Sequence, residues 1–287
     1  MTLRQLIQAQ SARLTQAGVS FGHGTGTAFD EAAWLVQWAL GLPLDALDTQ
    51  ADRAVGPDEA AAAEALIGRR IATRQPAAYL TREAWLQGVP FYVDERAIVP
   101  RSFIAELIAD GSIDPWLSDR TRRVLDLCTG NGSLAVLAAL AWPEVEVDAA
   151  DLSDDALAVA RINVDRHGLG SRITLWHSDG LAALPGAYDL ILCNPPYVNA
   201  TAMARLPAEY RAEPALALAG GADGMDFIRA LLRDLPSRMT PEAVLVLEIG
   251  HEREHFERAF QRLEVVWMDT SAGGDQVLLI PRESLQP

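Results

Sequence analysis

Two rhythms of apolar and polar positions divide the chain. Up to about residue 85 the apolar positions recur at helical spacing. Thr27 is placed to cap a helix running through Phe29, Trp34 and Trp38, with the two tryptophans one turn apart on one face. Pro57 is suited to open another helix, with Asp58 and Glu59 at its amino end and Arg69, Arg70 and Arg74 near its carboxyl end. That arrangement complements the helix dipole, and Pro76 forces the stop. Ala60 to Ala63 favour helix by propensity. The pattern predicts a small helical bundle over 1–84 that positions something else. Short extended pieces follow, Trp85-Leu86-Gln87 and Phe91-Tyr92-Val93, punctuated by Gly88 and Pro90; they predict a β-hairpin linker over 85–99. Ser102 is then a candidate cap for a helix whose stripe is Phe103, Leu107 and Ile108.

After Arg123 the rhythm alternates between strand and helix. Apolar runs at Val124–Cys128, Val145–Leu152, Ile173–His177, Leu190–Cys193, Val244–Ile249, Val265–Met268 and Val277–Ile280 read as strands. Helical patterns lie at 133–141, 154–166 and 252–263. Alternating elements of this kind predict an α/β domain over 100–287, with a mainly parallel sheet covered on both faces.

In such sheets ligands bind beyond the carboxyl ends of the strands, and four strand ends here carry chemistry. The most informative is Leu190-Ile191-Leu192-Cys193-Asn194-Pro195-Pro196-Tyr197. Its buried run leads into a turn of an amide, two prolines and a phenol, whose prolines donate no backbone hydrogen bonds and leave carbonyls free to face a pocket. After the first strand comes Asp126-Leu127-Cys128-Thr129-Gly130-Asn131-Gly132-Ser133. Gly130 and Gly132 allow close approach, while Asp126, Thr129 and Asn131 make surroundings suited to an amino-acid head group and a cation, not to a pyrophosphate. Asp151 ends the second strand, where a carboxylate can accept from both ribose hydroxyls. Ser153 is the better helix cap, which would leave Asp151 free. His177-Ser178-Asp179-Gly180 ends the third, with Asp179 placed to accept from an adenine amine.

Composition narrows the partners. A formal net charge of −15 argues against free nucleic acid as substrate, and it suits a basic protein partner. No apolar run approaches the roughly 20 residues of a membrane span. The two cysteines, Cys128 and Cys193, read as small buried hydrophobes of a reduced, cytoplasmic protein. His23 and His167, beside glycines, read as loop or helix-end residues. His251-Glu252-Arg253-Glu254-His255 matches the H-E-x-x-H zinc signature, but its middle residues are charged and no third ligand follows. No metal site is expected there.

The series Asp-x-x-Thr-Gly-x-Gly, then an acid, then Asp, then Asn-Pro-Pro-Tyr at successive strand ends resembles class I S-adenosylmethionine-dependent methyltransferases. Within these the chain resembles the bacterial protein-(glutamine-N5) methyltransferases over nearly its whole length. That resemblance implies a Rossmann-like, seven-stranded sheet, with 1–84 as a substrate-recognition domain. It implies a cofactor site of Asp126, Thr129, Gly130, Asn131, Gly132, Asp151, Asp179, Gly180 and Asn194, taking S-adenosylmethionine and releasing S-adenosylhomocysteine. A glutamine amide would lie on Asn194, Pro195, Pro196 and Tyr197. Asn194 and the Pro195 carbonyl would accept its two hydrogens, Tyr197 would pack on its plane and Pro196 would shape the turn. Val99-Pro100-Arg101-Ser102-x-x-Ala105-Glu106-Leu107-Ile108 and Leu127-Cys128-Thr129-Gly130 are similar to the branch acting on ribosomal protein L-three. The release-factor branch favours Pro-Arg-x-x-Thr-Glu and Gly-Thr-Gly there. Glu209-Tyr210-Arg211-Ala212-Glu213-Pro214 and Gly220-Gly221-Ala222-Asp223-Gly224 also fit the family, while Asn131 and Ala212 depart from its commoner residues. The competing readings are a release-factor methyltransferase, a nucleic-acid adenine N6-methyltransferase and a non-catalytic ribosome-assembly protein.

Overall fold

The computed structural model describes residues 1–285. Five helices form the front of the chain: α1 (Leu3–Gln16), α2 (Ala28–Ala39), α3 (Ala46–Gln50), α4 (Pro57–Thr73) and α5 (Ala77–Thr81). Their starts follow local chemistry. Thr2 and Gln5 form a reciprocal capping box on α1, Thr27 Oγ1 accepts from the Asp30 N–H on α2, and Pro57 opens α4. Leu3, Leu6, Ile7, Leu35, Val36, Leu66 and Ile67 close the bundle core. The two tryptophans part company: Trp34 is buried, whereas Trp38, in the last turn of α2, is 42% exposed.

The hairpin is shorter than the sequence suggests, with β1 (Ala84–Leu86) and β2 (Val89–Phe91) antiparallel. Gln87 is in the turn, at φ 50°, and Tyr92 and Val93 lie outside the strands. Helix α6 (Ile104–Ala109) follows, its N-cap position held by Phe103 rather than Ser102. The Ser102 hydroxyl does accept from the Ile104 N–H, but it donates to Glu248.

Then come β3 (Arg123–Leu127), α7 (Ser133–Ala141), β4 (Glu146–Asp151), α8 (Asp154–Arg166), β5 (Ile173–His177), β6 (Tyr188–Cys193), α9 (Ala200–Met203), α10 (Asp226–Asp234), β7 (Met239–Glu248), α11 (Arg253–Ala259), β8 (Val266–Thr270) and β9 (Gly273–Pro281). The seven strands β3–β9 run in the order β5-β4-β3-β6-β7-β9-β8. The first five are parallel, and β9 is antiparallel to both β7 and β8. Pleating explains the unbroken apolar runs. Val124, Leu190, Leu192, Val244 and Val246 face one core, while Leu125, Leu127, Ile191, Leu245 and Leu247 face the other. Helix α11 ends at Ala259, short of the expected 263, with Phe260 at its cap turned into the second core. The strand order reverses between β3 and β6, so the carboxyl ends of β3, β4 and β6 open around one crevice. Among the described residues no helix is long and apolar enough to cross a membrane.

Candidate active site

Two cavities meet at the end of β6. One is a narrow cleft over the strand ends, about 140 Å³, lined among others by Cys128, Gly130, Asp151, Asp179, Gly180, Asn194 and Pro196. The other is a groove of about 930 Å³ reaching toward the helical bundle, with Asn194, Pro195, Tyr197 and Glu248 among its walls. Asn194 lines both. Neither its amide nor the Pro195 carbonyl makes a hydrogen bond among the described residues. The polar groups of this turn are therefore unspent at the neck between the cavities.

Tyr197 is fixed from three sides. Its hydroxyl donates to Glu248 Oε1 at 3.2 Å. A Cβ on Gly250 would stand 2.5 Å from Tyr197 Cε2, so the glycine (φ 52°) lets the ring lie flat on the backbone. Gly224 likewise leaves room for the Tyr197 carbonyl. Burial, then the Glu248 charge, pushes the phenol far above its ordinary range, so it stays a neutral donor. Glu248 Oε2 also accepts from Ser102 Oγ (2.6 Å) and the Phe103 N–H (2.9 Å). Burial raises its pKa against those donors.

The glycine-rich turn departs from expectation. Gly130 faces the cleft with open space around its Cα (φ 55°), but Asp126, Thr129, Asn131 and Gly132 do not line it. Asp126 is buried beneath the turn, where Oδ2 accepts from Thr129 Oγ1 (2.5 Å) and the Ala135 N–H (2.9 Å). Its Oδ1 has no partner, and burial pushes the carboxyl up to about 7. The Asn131 oxygen accepts from the Ser133 N–H, its Nδ2 is buried without a partner, and its carbonyl accepts from Asn163 Nδ2. A Cβ on Gly132 would meet Ala160 of α8 at 3.1 Å, so that glycine serves helix packing. Asp151 is not free either: it accepts from the Gly130 and Ser153 N–H groups, each at 2.9 Å, and burial outweighs them to raise its pKa. Ser153 caps α8 as expected. Asp179 is exposed at the cleft, and its carboxylate makes no hydrogen bond among the described residues.

A buried ionic network behind the groove has no local sequence signal. Glu213 is gripped by Arg101 through two hydrogen bonds of 2.6 and 2.8 Å, and it also accepts from the Val99 N–H. Burial opposes its ionisation, but Arg101 and His23 together outweigh that and hold the carboxyl down at about 2. His23, a loop residue yet almost fully buried, packs against Tyr210 with ring centroids 4.2 Å apart and planes tilted by 51°, and its Nε2 lies 3.4 Å from Glu213. Arg70 is buried outright and pairs with Glu31 (2.8 Å) and Glu209 (3.4 Å), while Ser20 N–H donates to Glu209. Residues 209–213 are thereby tied to the helical bundle.

His251 is exposed in the turn before α11, and the His255 ring is held by Glu252 at 2.5 Å, so the two histidines do not face one another across a helix turn. Among the described residues no group of three or more His, Cys, Asp or Glu side chains is disposed to hold a metal. The cysteines are not both plain core residues. Cys193 is buried, but Cys128 (φ 61°) lines the cleft, and its thiol is raised first by the hydrogen bond it donates to Cys193 and then by burial.

Residues 113–210 match the methyltransferase small domain family, and residues 5–81 match the PrmC N-terminal domain family. The chain is 55% identical to the ribosomal protein uL3 glutamine methyltransferase of Bordetella pertussis, covering 99% of this chain and 96% of that protein. It is 53% identical to the one from Burkholderia pseudomallei, at 99% and 95% coverage. The chain belongs to this methyltransferase family. The like-named protein of Neisseria meningitidis serogroup B is 46% identical over 99% of this chain and 94% of its own length. Among solved structures, the hMettl16 catalytic domain in complex with MAT2A 3'UTR hairpin 6 superposes with a TM-score of 0.52 at 14% identity. It covers 78% of this chain and 80% of that one, a likeness of fold alone. The fold is that of class I methyltransferases, as the strand-end motifs imply.

Proposed function

We propose that the chain transfers a methyl group from S-adenosylmethionine to the side-chain amide nitrogen of a glutamine in ribosomal protein L-three (uL3), leaving S-adenosylhomocysteine. The observation that carries this reading is Asn194 at the neck of two cavities, its amide and the neighbouring Pro195 carbonyl unspent. Residues 1–84 would recognise the protein, 85–99 would link, and 100–287 would carry the chemistry, in the cytoplasm.

The donor set of the cleft suits the cofactor. Each Asp151 oxygen has taken one backbone N–H and keeps a second acceptor site for a ribose hydroxyl. Asp179 keeps an open carboxylate for an adenine amine, and Gly130 allows close approach of the methionine portion. Asp126, Thr129, Asn131 and Gly132 act from beneath, by holding the turn. A nucleoside ligand needs roughly 300 Å³ or more, so the 140 Å³ cleft would have to widen to admit it; Pro214, Leu216 and Ala217 are part of its wall. When bound, the cofactor supplies a methyl group on a sulfonium.

The protein's part is positioning. A glutamine amide is a poor nucleophile because its nitrogen lone pair is shared with the carbonyl. Asn194 Oδ1 and the Pro195 carbonyl accept its two N–H groups, aim the nitrogen and favour the electron-rich form as positive charge grows on it. Tyr197, locked by Glu248 and Gly250, bears on the amide plane. The nitrogen becomes acidic only as the methyl–sulfur bond breaks and the methyl–nitrogen bond forms, so no strong base is required beforehand, and the surplus N–H proton would leave to water in the open groove.

Replacing Asn194 with Ala should lower kcat for methylation of purified uL3, measured at saturating cofactor, by about 10²–10³-fold. Near-normal turnover would refute the clamp. Mass spectrometry of uL3 and both release factors from cells lacking this gene decides the substrate. Loss of a methyl-sized increment from a release factor alone would move the chain to that substrate, and intact methylation of all three would remove the protein-glutamine reading.

A further inference from the structure

Gly22, Gly24, Thr25 and Gly26, in the loop between α1 and α2, form the far wall of the groove that ends on Asn194 and Pro195. Most glycines here have an internal reason. Gly26, Gly56, Gly68 and Gly170 are the four whose added Cβ would meet nothing closer than 3.7 Å and whose φ is not positive, and of these Gly26 alone lines the groove. Neither backbone conformation nor packing inside the chain calls for a missing side chain there. Gly24, at φ 95°, also has open space around it.

The loop is polar in its main chain. The Gly22 N–H is used within the loop, on the Thr25 carbonyl, whereas the N–H and C=O groups of Gly24 and Gly26 make no hydrogen bond among the described residues. The wall is also held in place: Thr25 Oγ1 donates to Glu31, itself paired with buried Arg70, and a Cβ on Gly22 would strike the Tyr210 hydroxyl. A fixed, bare backbone edge suits pairing with an extended chain, because main-chain hydrogen bonds need close approach and no intervening side chains. The groove, at about 930 Å³, also holds far more than one amide side chain.

We infer that the Gly22–Gly26 loop takes the extended main chain of the protein substrate beside the methylated glutamine, with Gly26 bare so that two backbones can meet. This rests on the protein-glutamine reading above. It makes the front bundle a direct part of substrate recognition, and it favours a substrate segment with small residues where it passes Gly26.

The test is Gly26→Leu, a substitution that open space and ordinary φ leave compatible with folding. With purified uL3 as substrate, kcat/KM should fall on the order of tenfold or more, carried by KM, while melting temperature and S-adenosylhomocysteine affinity stay at wild-type values. Kinetics within twofold of wild type would overturn the inference. Gly26→Cys gives a second readout: uL3 should slow maleimide labelling of the new thiol, and unchanged labelling at saturating uL3 would overturn it equally. Absence of methyl transfer to uL3 by the wild-type protein would instead count against the proposed function.

Discussion

Replacing Asp126 with Asn tests the electrostatics beneath the cleft over the strand ends. Burial raises this carboxyl from 3.8 to about 7, even though Thr129 and Ala135 donate to one of its oxygens. In the unfolded chain it titrates near 3.8, so between these values the folded state holds a proton that the unfolded state has lost. Its contribution to stability is fully present below about pH 4 and is lost as pH rises through about 7. The shift, 7 − 3.8, is about 3 units, which at 1.36 kcal/mol each amounts to ~4 kcal/mol. The Asn variant cannot ionise and can accept the same two donors through its amide oxygen. Its NH₂ group would lie where Oδ1 has no partner, at a cost of roughly 1–3 kcal/mol. At pH 8 the variant should therefore be the more stable by about 1–3 kcal/mol, and at pH 4 the less stable. Urea denaturation from pH 4 to 8, without cofactor, measures both curves. Parallel curves that never cross would show that Asp126 does not titrate in this range, and the reasoning would fail.

Asp151→Ala should weaken S-adenosylhomocysteine binding at least tenfold by calorimetry, since the Gly130 and Ser153 N–H groups lose their acceptor along with the ribose; unchanged affinity would remove its role. Tyr197→Phe and Glu248→Gln should each lower kcat without altering cofactor affinity, and the double variant should be no worse than the poorer single; additive losses would show that Glu248 does not act through Tyr197. Arg101→Ala, which strands the buried Glu213 carboxylate, should cost on the order of 3–5 kcal/mol in denaturant unfolding at pH 7. Because Arg101 and His23 hold Glu213 at about 2, the wild type keeps that contribution above pH 4.5 and loses it as pH falls through about 2. Cofactor binding should change hydrogen exchange at 214–217 if that turn is the part that moves, and identical exchange with and without cofactor would refute it.

Local chemistry made much of the fold readable. Helices α7 and α8 lie where the pattern put them, at 133–141 and 154–166, because a glycine turn and the Ser153 cap mark their starts. Strand runs were legible to within a few residues, since buried parallel strands are apolar on both faces. Strand ends were legible as places for chemistry, but side-chain direction was not. Asp126 looked like a residue facing the cofactor, yet it turns under the loop to hold Thr129 and Ala135. Asp151 looked free until two backbone N–H groups folded back onto it. The network through Arg70, Glu209, His23 and Glu213 was invisible for a different reason. Arg70 and Glu209 are 139 positions apart, and no periodicity reports a pairing at that separation.

The ion pairs joining the helical bundle to residues 209–213 bear on how this protein can be re-engineered. Arg70 finds Glu31 within the bundle and Glu209 outside it, and His23 leaves the bundle to meet Glu213. A chimaera that exchanged residues 1–84 for the front of a distant relative would therefore separate buried charges from their counter-ions unless residues 209–213 travelled with them. The unit that can be transplanted without breaking these pairs is discontinuous in sequence, a front bundle plus a five-residue strap at 209–213. Grafting experiments that treat the front as a cassette would be expected to yield insoluble protein, and those that carry the strap along would be expected to yield folded enzymes.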